Sequence, residues 1–223
     1  MSNFWARWRP FSLGLDVRED TRIYWGSHTE ATPPNGRCIG TFVGENPGGA
    51  LPVAPLPFTG RSPLISRGRA GDPTLRLLLD VWKQAVLMKL RKTPLPQDTD
   101  YIEVLNLYYF RCTIAAAASP VTLHAWITHG GSTIYHQPVD SNSTFLLLGW
   151  SRWMNAYGGT GHFLPPLTRA IKMVIPDSRA FVLPPLTSAT WPPLPLSPFP
   201  VSPSYMCYPS RRTHYINNVA FHL

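Results

Sequence analysis

A short segment bounded by glycines carries the two side chains best suited to chemistry. Its sequence is Gly44-Glu45-Asn46-Pro47-Gly48. The Glu45 carboxylate can accept a proton, whereas the Asn46 amide can orient a water molecule but cannot take a proton at neutral pH. The alternative interpretation is structural: the glycines permit a tight turn, and Asn46 bonds to its own backbone. A phosphate-binding P-loop is excluded, because its lysine and serine are missing.

Two further groups of polar side chains come later in the chain. Asn106 ends an apolar stretch, and its amide offers both a donor and an acceptor, although it could simply cap a strand. Near the carboxyl terminus, the run Tyr208-Pro209-Ser210-Arg211-Arg212 places a phenol, a hydroxyl and two guanidinium groups together. These arginines either contact phosphate or are ordinary surface charge.

In this order, the segments resemble the uracil-DNA glycosylase superfamily. Its members carry a loop such as GQDPY, GINPG or GEAPG after the first core strand and an Asn or similar group after a middle strand. An LLLG…A step from strand to helix and a terminal HPS or NPS loop follow. The corresponding segments here are Gly44 to Gly48, Asn106, Leu146 to Gly149 with Ala156, and Tyr208 to Ser210.

The middle of the chain also resembles a bacterial family with three short motifs. These are LNPS after the first strand, DDPT opening the next helix, and NL…R after the following strand. The matching residues are Asn46-Pro47, Asp72-Pro73-Thr74, and Asn106-Leu107 with Arg111. The two resemblances are compatible if this family is a branch of the superfamily.

The resemblance implies a DNA glycosylase, which flips out a nucleotide, holds the base by its polar edge and cleaves the bond to the sugar with a positioned water. Asn46 matches the family residue that positions the water, and Glu45 matches an acidic position of one branch. Both are therefore predicted as catalytic residues with equal weight. The residues implied to bind the base are Gly44, Pro47, Gly48, Asn106 and Tyr208, and those implied to meet DNA are Ser210, Arg211 and Arg212.

Two departures from the family pattern point to the substrate. Tyr208 stands where the family has a histidine that donates to the base, so efficient removal of plain uracil is not expected. Gly48 replaces the aromatic residue that blocks C5 substituents in the uracil-specific branch. We therefore predict excision of a bulky C5-modified pyrimidine, such as those of phage DNA, in antiphage defence.

The resemblance also implies a monofunctional enzyme that leaves an abasic site. Classical members lack a catalytic lysine. The lysines here all fall in predicted helices or strands away from the loops: Lys83, Lys89, Lys92 and Lys172.

Predicted strands and helices position these residues. The strands are Cys38 to Val43, Tyr101 to Leu107, Thr144 to Gly149, and one within 171–175 or 179–183. A helix begins at the N-cap Asp72, followed by Pro73 and leucines at helical spacing. A second helix is predicted over Trp150 to Tyr157, after the third strand, and ends at Gly158-Gly159. This alternation predicts an α/β three-layer sandwich with a central, mostly parallel four-stranded sheet, similar to uracil-DNA glycosylases.

The length of 223 residues predicts a single domain over 1–223. Residues 1–36 are expected to be an irregular or hairpin-like extension, whose Trp5 and Trp8 either stack on bases or pack on the sheet. Residues 51–71 are predicted to be a basic, proline-rich surface loop. Residues 184–210 are predicted to be a proline-rich segment that leads to the terminal motif.

The charge favours a polyanionic partner, because the formal net charge is +8 and most of the 20 basic residues are arginine. DNA is the expected partner. Arg61, Arg67 and Arg69 of the 51–71 segment are predicted to contact it, although a mildly basic surface is an equal alternative.

Other classes of partner are not expected. The three cysteines and seven histidines lack metal-ligand spacing, so no metal and no cofactor are predicted. No apolar run approaches the roughly 20 residues that span a bilayer, and the amino terminus does not resemble a signal peptide. We expect a cytoplasmic monomer without membrane contact.

Two other functions fit the sequence. The first is a non-catalytic nucleic-acid-binding module on the same fold, which Tyr208 favours and the retention of Glu45 and Asn46 opposes. The second is an enzyme that acts on free nucleotides or nucleosides.

Overall fold

The computed structural model describes part of the chain. The described residues are 1–10, 16–29, 36–44, 49–56, 58–89, 94–106, 109, 111, 140, 142–148, 180–182, 213, 216–217 and 219–220. Within them, the helix α1 spans Pro73–Lys89, and the described residues between 213 and 220 are also helical. The strands are β1 (Ser2–Pro10), β2 (Asp16–His28), β3 (Cys38–Gly44), β4 (Leu51–Pro52), β5 (Gly60–Ser66), β6 (Arg69–Ala70), β7 (Tyr101–Asn106), β8 (Phe145–Leu148) and β9 (Ala180–Val182).

These strands form one mixed sheet. Its order is β4-β5-β1-β2-β7-β3-β8-β9, and β6 pairs with β5. Strands β7, β3, β8 and β9 run parallel to one another. In contrast, β2 is antiparallel to both β7 and β1, and β5 is antiparallel to β1. The amino-terminal hairpin is therefore part of the sheet.

The predicted three-layer sandwich on a mostly parallel four-stranded sheet is wrong. Antiparallel strands extend the sheet beyond β7. The helix predicted over 150–157 lies outside the described residues. The prediction missed β1 because charged residues alternate with its core residues: Phe4, Ala6 and Trp8 are buried, whereas Arg7 is exposed and Arg9 pairs with Glu19 across the hairpin at 3.3 Å. Such alternation is typical of a strand in an antiparallel sheet.

The segment 51–71, predicted to be a loop, instead contains β4, β5 and β6. Its proline Pro63 lies within β5, and Leu64 beside it is fully buried. The described prolines and the arginines of this segment therefore lie on or between short strands, which β1 and β2 separate from β7.

Several predicted elements are confirmed. Strands β3, β7 and β8 fall within or at the ends of the predicted runs, and β9 lies inside the 179–183 alternative. Asp72 caps α1 as predicted, since its Oδ1 accepts a hydrogen bond from the backbone N–H of Leu75 at 2.9 Å.

One face of the sheet packs against α1. The helix contributes Leu75, Leu78, Leu79, Trp82 and Val86 to the buried cluster, and the sheet contributes Phe4, Trp8, Ile23, Phe42, Ile102, Val104, Phe145 and Leu147. Trp8 and Trp82 are both fully buried, and Trp5 is nearly so. The alternative in which Trp5 and Trp8 pack on the sheet is therefore confirmed.

Candidate functional site

The carboxyl ends of two neighbouring parallel strands meet at one edge of the sheet. Gly44, the last residue of β3, lies opposite Asn106, the last residue of β7. Both residues are buried. Ligands of sheets with parallel strands commonly bind outside the carboxyl ends of the strands. We call this the carboxyl edge.

Gly44 allows the Asn106 side chain to lie against the backbone at the end of β3. A Cβ atom on Gly44 would come within 3.1 Å of Asn106 Oδ1 and 3.0 Å of the Phe42 ring. Both contacts are tighter than an ordinary van der Waals contact. A larger residue at position 44 would therefore displace either the amide or the Phe42 ring.

The Asn106 amide is buried and incompletely bonded. The residue is 2% exposed, and its Nδ2 has no hydrogen-bond partner within the described part of the chain. Buried polar groups in native proteins are nearly always paired, so an orphan amide at a strand end is a candidate ligand contact.

Tyr109 fixes the backbone of Asn106. The Tyr109 hydroxyl accepts a hydrogen bond from the Asn106 N–H at 3.3 Å, and the ring is fully buried. Burial raises the pKa of Tyr109, which therefore stays protonated at all physiological pH values. The sequence analysis missed this residue, because the aromatic run that follows β7 gives no sign of which ring turns back to the strand.

The structure describes only part of the predicted site. Gly44 and Asn106 are brought together as neighbours. The other predicted catalytic and base-binding residues, and the predicted DNA contacts of the terminal motif, lie outside the described residues: Glu45, Asn46, Pro47, Gly48, Tyr208, Ser210, Arg211 and Arg212.

The three arginines predicted to bind DNA lie elsewhere in the sheet. Arg61 belongs to β5, which β1 and β2 separate from β7. Its guanidinium forms an ion pair with Asp20 and is largely buried, so it is already engaged. Arg67 and Arg69 are exposed at the turn between β5 and β6. The structure therefore does not bring these three side chains to the carboxyl edge.

A group of charged residues lies near the carboxyl edge, and the sequence analysis named Asp72 and Arg111 of this group but gave no role to Asp16 and Arg18. Arg18 of β2 is buried, and its Nη2 lies 3.5 Å from Oδ2 of Asp72, the N-cap of α1. Arg111 Nη2 lies 3.5 Å from Asp16 Oδ2. Burial lowers the pKa of Arg18, Asp72 opposes this shift, and the charge of Arg111 adds to it. We refer to Asp16, Arg18, Asp72 and Arg111 as the charged corner.

Neither a metal site nor a membrane helix is found in the described residues. They contain no group of three or more His, Cys, Asp or Glu side chains able to hold a metal ion. No helix of the described ranges has the length and apolarity needed to cross a bilayer.

Comparison of the chain with protein-family models, with curated proteins and with solved structures finds no match. The glycosylase resemblance is therefore carried by the motif residues alone.

Proposed function

We propose that this chain is a monofunctional DNA glycosylase that hydrolyses the N-glycosidic bond of a flipped pyrimidine with a bulky C5 substituent. The observation that best supports the proposal is the buried Nδ2 of Asn106, which has no hydrogen-bond partner among the described residues and lies beside Gly44, where the predicted catalytic loop begins. An enzyme of this class needs a fixed polar group that reads the edge of an extruded base.

The Asn106 amide has the chemistry required for this role. It carries one acceptor and two donors, so it can bond to the edge of a pyrimidine that presents both kinds of group. Leaving a polar group buried and unpaired costs about 1–3 kcal/mol, a cost that a base bound at this position would remove. Tyr109 bonds to the backbone N–H of Asn106, and Gly44 leaves room for its side-chain amide, before any ligand binds.

The reaction assigned to the site is a hydrolysis. The oxygen of a water molecule bonds to C1′ of the sugar, the bond from C1′ to the base nitrogen breaks, and its electron pair leaves with the base. Asn46 orients the water, Glu45 accepts its proton, and donors at Asn106 and Tyr208 stabilise the negative charge that develops on the base. The product strand keeps its backbone and contains an abasic site.

The test is mass spectrometry of bases released from four DNAs: unmodified, uracil-containing, hydroxymethylated and glycosylated. We expect the wild-type protein to release one modified pyrimidine. Asn46→Ala, Glu45→Ala and Asn106→Ala should each lower the rate about 100-fold or more, because each removes a group that acts in the transition state.

The matched control is Asn142→Ala, which removes the same side chain from an exposed position before β8. It should release the base at the wild-type rate. If the wild-type protein releases no base from any of the DNAs, the proposal is wrong. In that case, DNA affinity measured on the same samples would support the alternative of a non-catalytic nucleic-acid-binding module.

A further inference from the structure

The start of β2 pairs with the chain just after β7, and this pairing sets two arginines on one face. The Arg18 N–H donates to the Tyr109 carbonyl at 3.0 Å, and the Arg111 N–H donates to the Asp16 carbonyl at 2.8 Å. In this antiparallel arrangement, Arg18 and Arg111 occupy diagonal positions, which share a face and lie about 7–8 Å apart at their Cα atoms. Arg18 also pairs with Trp8, whose ring is in the core beneath α1. The shared face is therefore the helix face.

The two guanidinium groups have unused donors. Arg18 is 2% exposed, yet its Nε and Nη1 have no hydrogen-bond partner among the residues described. Arg111 Nε is likewise buried without a partner in that part of the chain. Asp72 Oδ2 lies 3.5 Å from Nη2 of Arg18, and Asp16 Oδ2 lies 3.5 Å from Nη2 of Arg111. Charge-assisted hydrogen bonds are usually about 2.7–2.9 Å long, so both ion pairs are loose.

The buried guanidinium of Arg18 makes so few hydrogen bonds that a second anion beside it would be stabilising. Burial of an incompletely paired charge is costly, and Asp72 divides its carboxylate between Arg18 and the N-cap bond to Leu75. The amino terminus of α1 begins at this point and adds a favourable field for negative charge. A guanidinium group can donate two hydrogen bonds at once to the oxygens of one phosphate. The carboxylates at 3.5 Å do not use this capacity.

We propose that Arg18 and Arg111 together bind one phosphate group at the charged corner. The phosphate comes from a nucleotide unit, either as a diester of a DNA strand or as a monoester of a free nucleotide. Tyr109 connects this corner to the backbone of Asn106, because its carbonyl accepts a hydrogen bond from the Arg18 N–H and its hydroxyl accepts one from the Asn106 backbone N–H. The proposal does not depend on base excision and stands if the protein only binds nucleotides.

The test is thermal denaturation of the full chain in chloride buffer with four probes. These are inorganic phosphate, deoxycytidine, deoxycytidine 5′-monophosphate and a short oligonucleotide without a terminal phosphate. We expect the monophosphate or the oligonucleotide to raise Tm by about 3 °C and deoxycytidine to leave it unchanged. A shift with the oligonucleotide alone identifies the diester as the source, and a shift with the monophosphate alone identifies the monoester.

Variants separate binding from structure. Arg111→Gln, at a partly exposed position, should fold and lose the phosphate-dependent shift, whereas Arg69→Gln on exposed β6 should keep it. The probe should raise the Tm of the wild type and leave the Tm of Arg18→Met unchanged. The proposal is overturned if no phosphate probe raises Tm, or if Arg111→Gln keeps the full shift. It is also overturned if Arg18→Met lowers Tm equally with and without the probe.

Discussion

Glu103, in the middle of β7, has a carboxylate with too few hydrogen-bond partners. Its neighbours Ile102 and Val104 face α1, so its side chain lies on the opposite face of β7. It stands in register with Arg22, but that guanidinium is bonded to Asp20 at 3.1 Å and stacked on Tyr101 at 4.5 Å. Glu103 Oε2 has no hydrogen-bond partner in the described ranges. Burial, and next the charge of Asp20, raises the pKa of Glu103 to about 7.

This shift predicts a pH-dependent stability. The folded state holds the Glu103 proton more tightly than the unfolded chain, whose carboxyl has a pKa of 4.5. The contribution to stability is therefore complete below pH 4.5 and is lost as the pH rises through about 7. Glu103→Gln should match the wild type near about pH 4 and have a higher Tm at about pH 8.

Thermal melts across this pH range check the prediction. The exposed Asp98→Asn is the control and should not reproduce the pH-dependent difference. A difference between Glu103→Gln and the wild type that is constant with pH would show that the carboxyl ionises normally.

The residues of the candidate site could be predicted only where a local motif marked them. Asn106 and Gly44 belong to recognisable segments, and the structure brings them together. Arg18 could not be predicted, because nothing in its surroundings in the sequence indicates that the guanidinium is buried at the start of a helix more than 50 residues later. Its role depends on the pairing of β2 with the chain after β7, which is a tertiary contact.

At the scale of elements, Asp72 joins the start of α1 to the sheet. Its Oδ1 caps the helix, and its Oδ2 is the nearest carboxylate oxygen to buried Arg18. Loss of an N-cap costs about 1 kcal/mol, and removal of one partner of a buried ion pair costs about 3–5 kcal/mol. Asp72→Ala should therefore lower the free energy of unfolding by more than a capping defect alone.

Asp72→Asn separates the two contributions, because asparagine caps helices as well as aspartate but carries no charge. Chemical denaturation should order the stabilities as wild type, Asp72→Asn and Asp72→Ala. In the Arg18→Met background, Asp72→Asn should lower the free energy of unfolding much less than it does in the wild type. Equal losses with and without Arg18 would mean that the two side chains are not coupled.

Elements with one continuous pattern could be predicted from sequence, and those with interrupted patterns could not. The apolar runs that form β3 and β7, and the capped periodicity of α1, each specify one structure. In β1 and β5, arginine and proline interrupt the apolar residues, and only pairing with neighbours buries Trp8 and Leu64. The sheet order depends on that pairing.

At the scale of the molecule, β1 and α1 share one core. Trp8 and Trp82 are both fully buried in the same cluster, although one lies near the amino terminus and the other in the helix. Trp8→Ala should lower the free energy of unfolding by about 3–5 kcal/mol, as for other large core truncations.

Leu87→Ala, on the exposed side of α1, is the matched apolar control and should change stability little. Urea denaturation followed by both fluorescence and circular dichroism measures the loss. If Trp8→Ala unfolds β1 separately, the two signals will no longer coincide, and β1 will prove to be an independent unit.

The place of β2 in the sheet has a consequence for folding during synthesis. The ribosome releases β1 and β2 first, but β2 pairs with β7, so that Thr21 meets Val104 only after some eighty further residues have emerged. Such distant pairings close slowly, because the loop between the strands must be ordered before their contacts form. The early hairpin therefore waits with one side unpaired, and the rate at which the chain folds will be set by the arrival of β7.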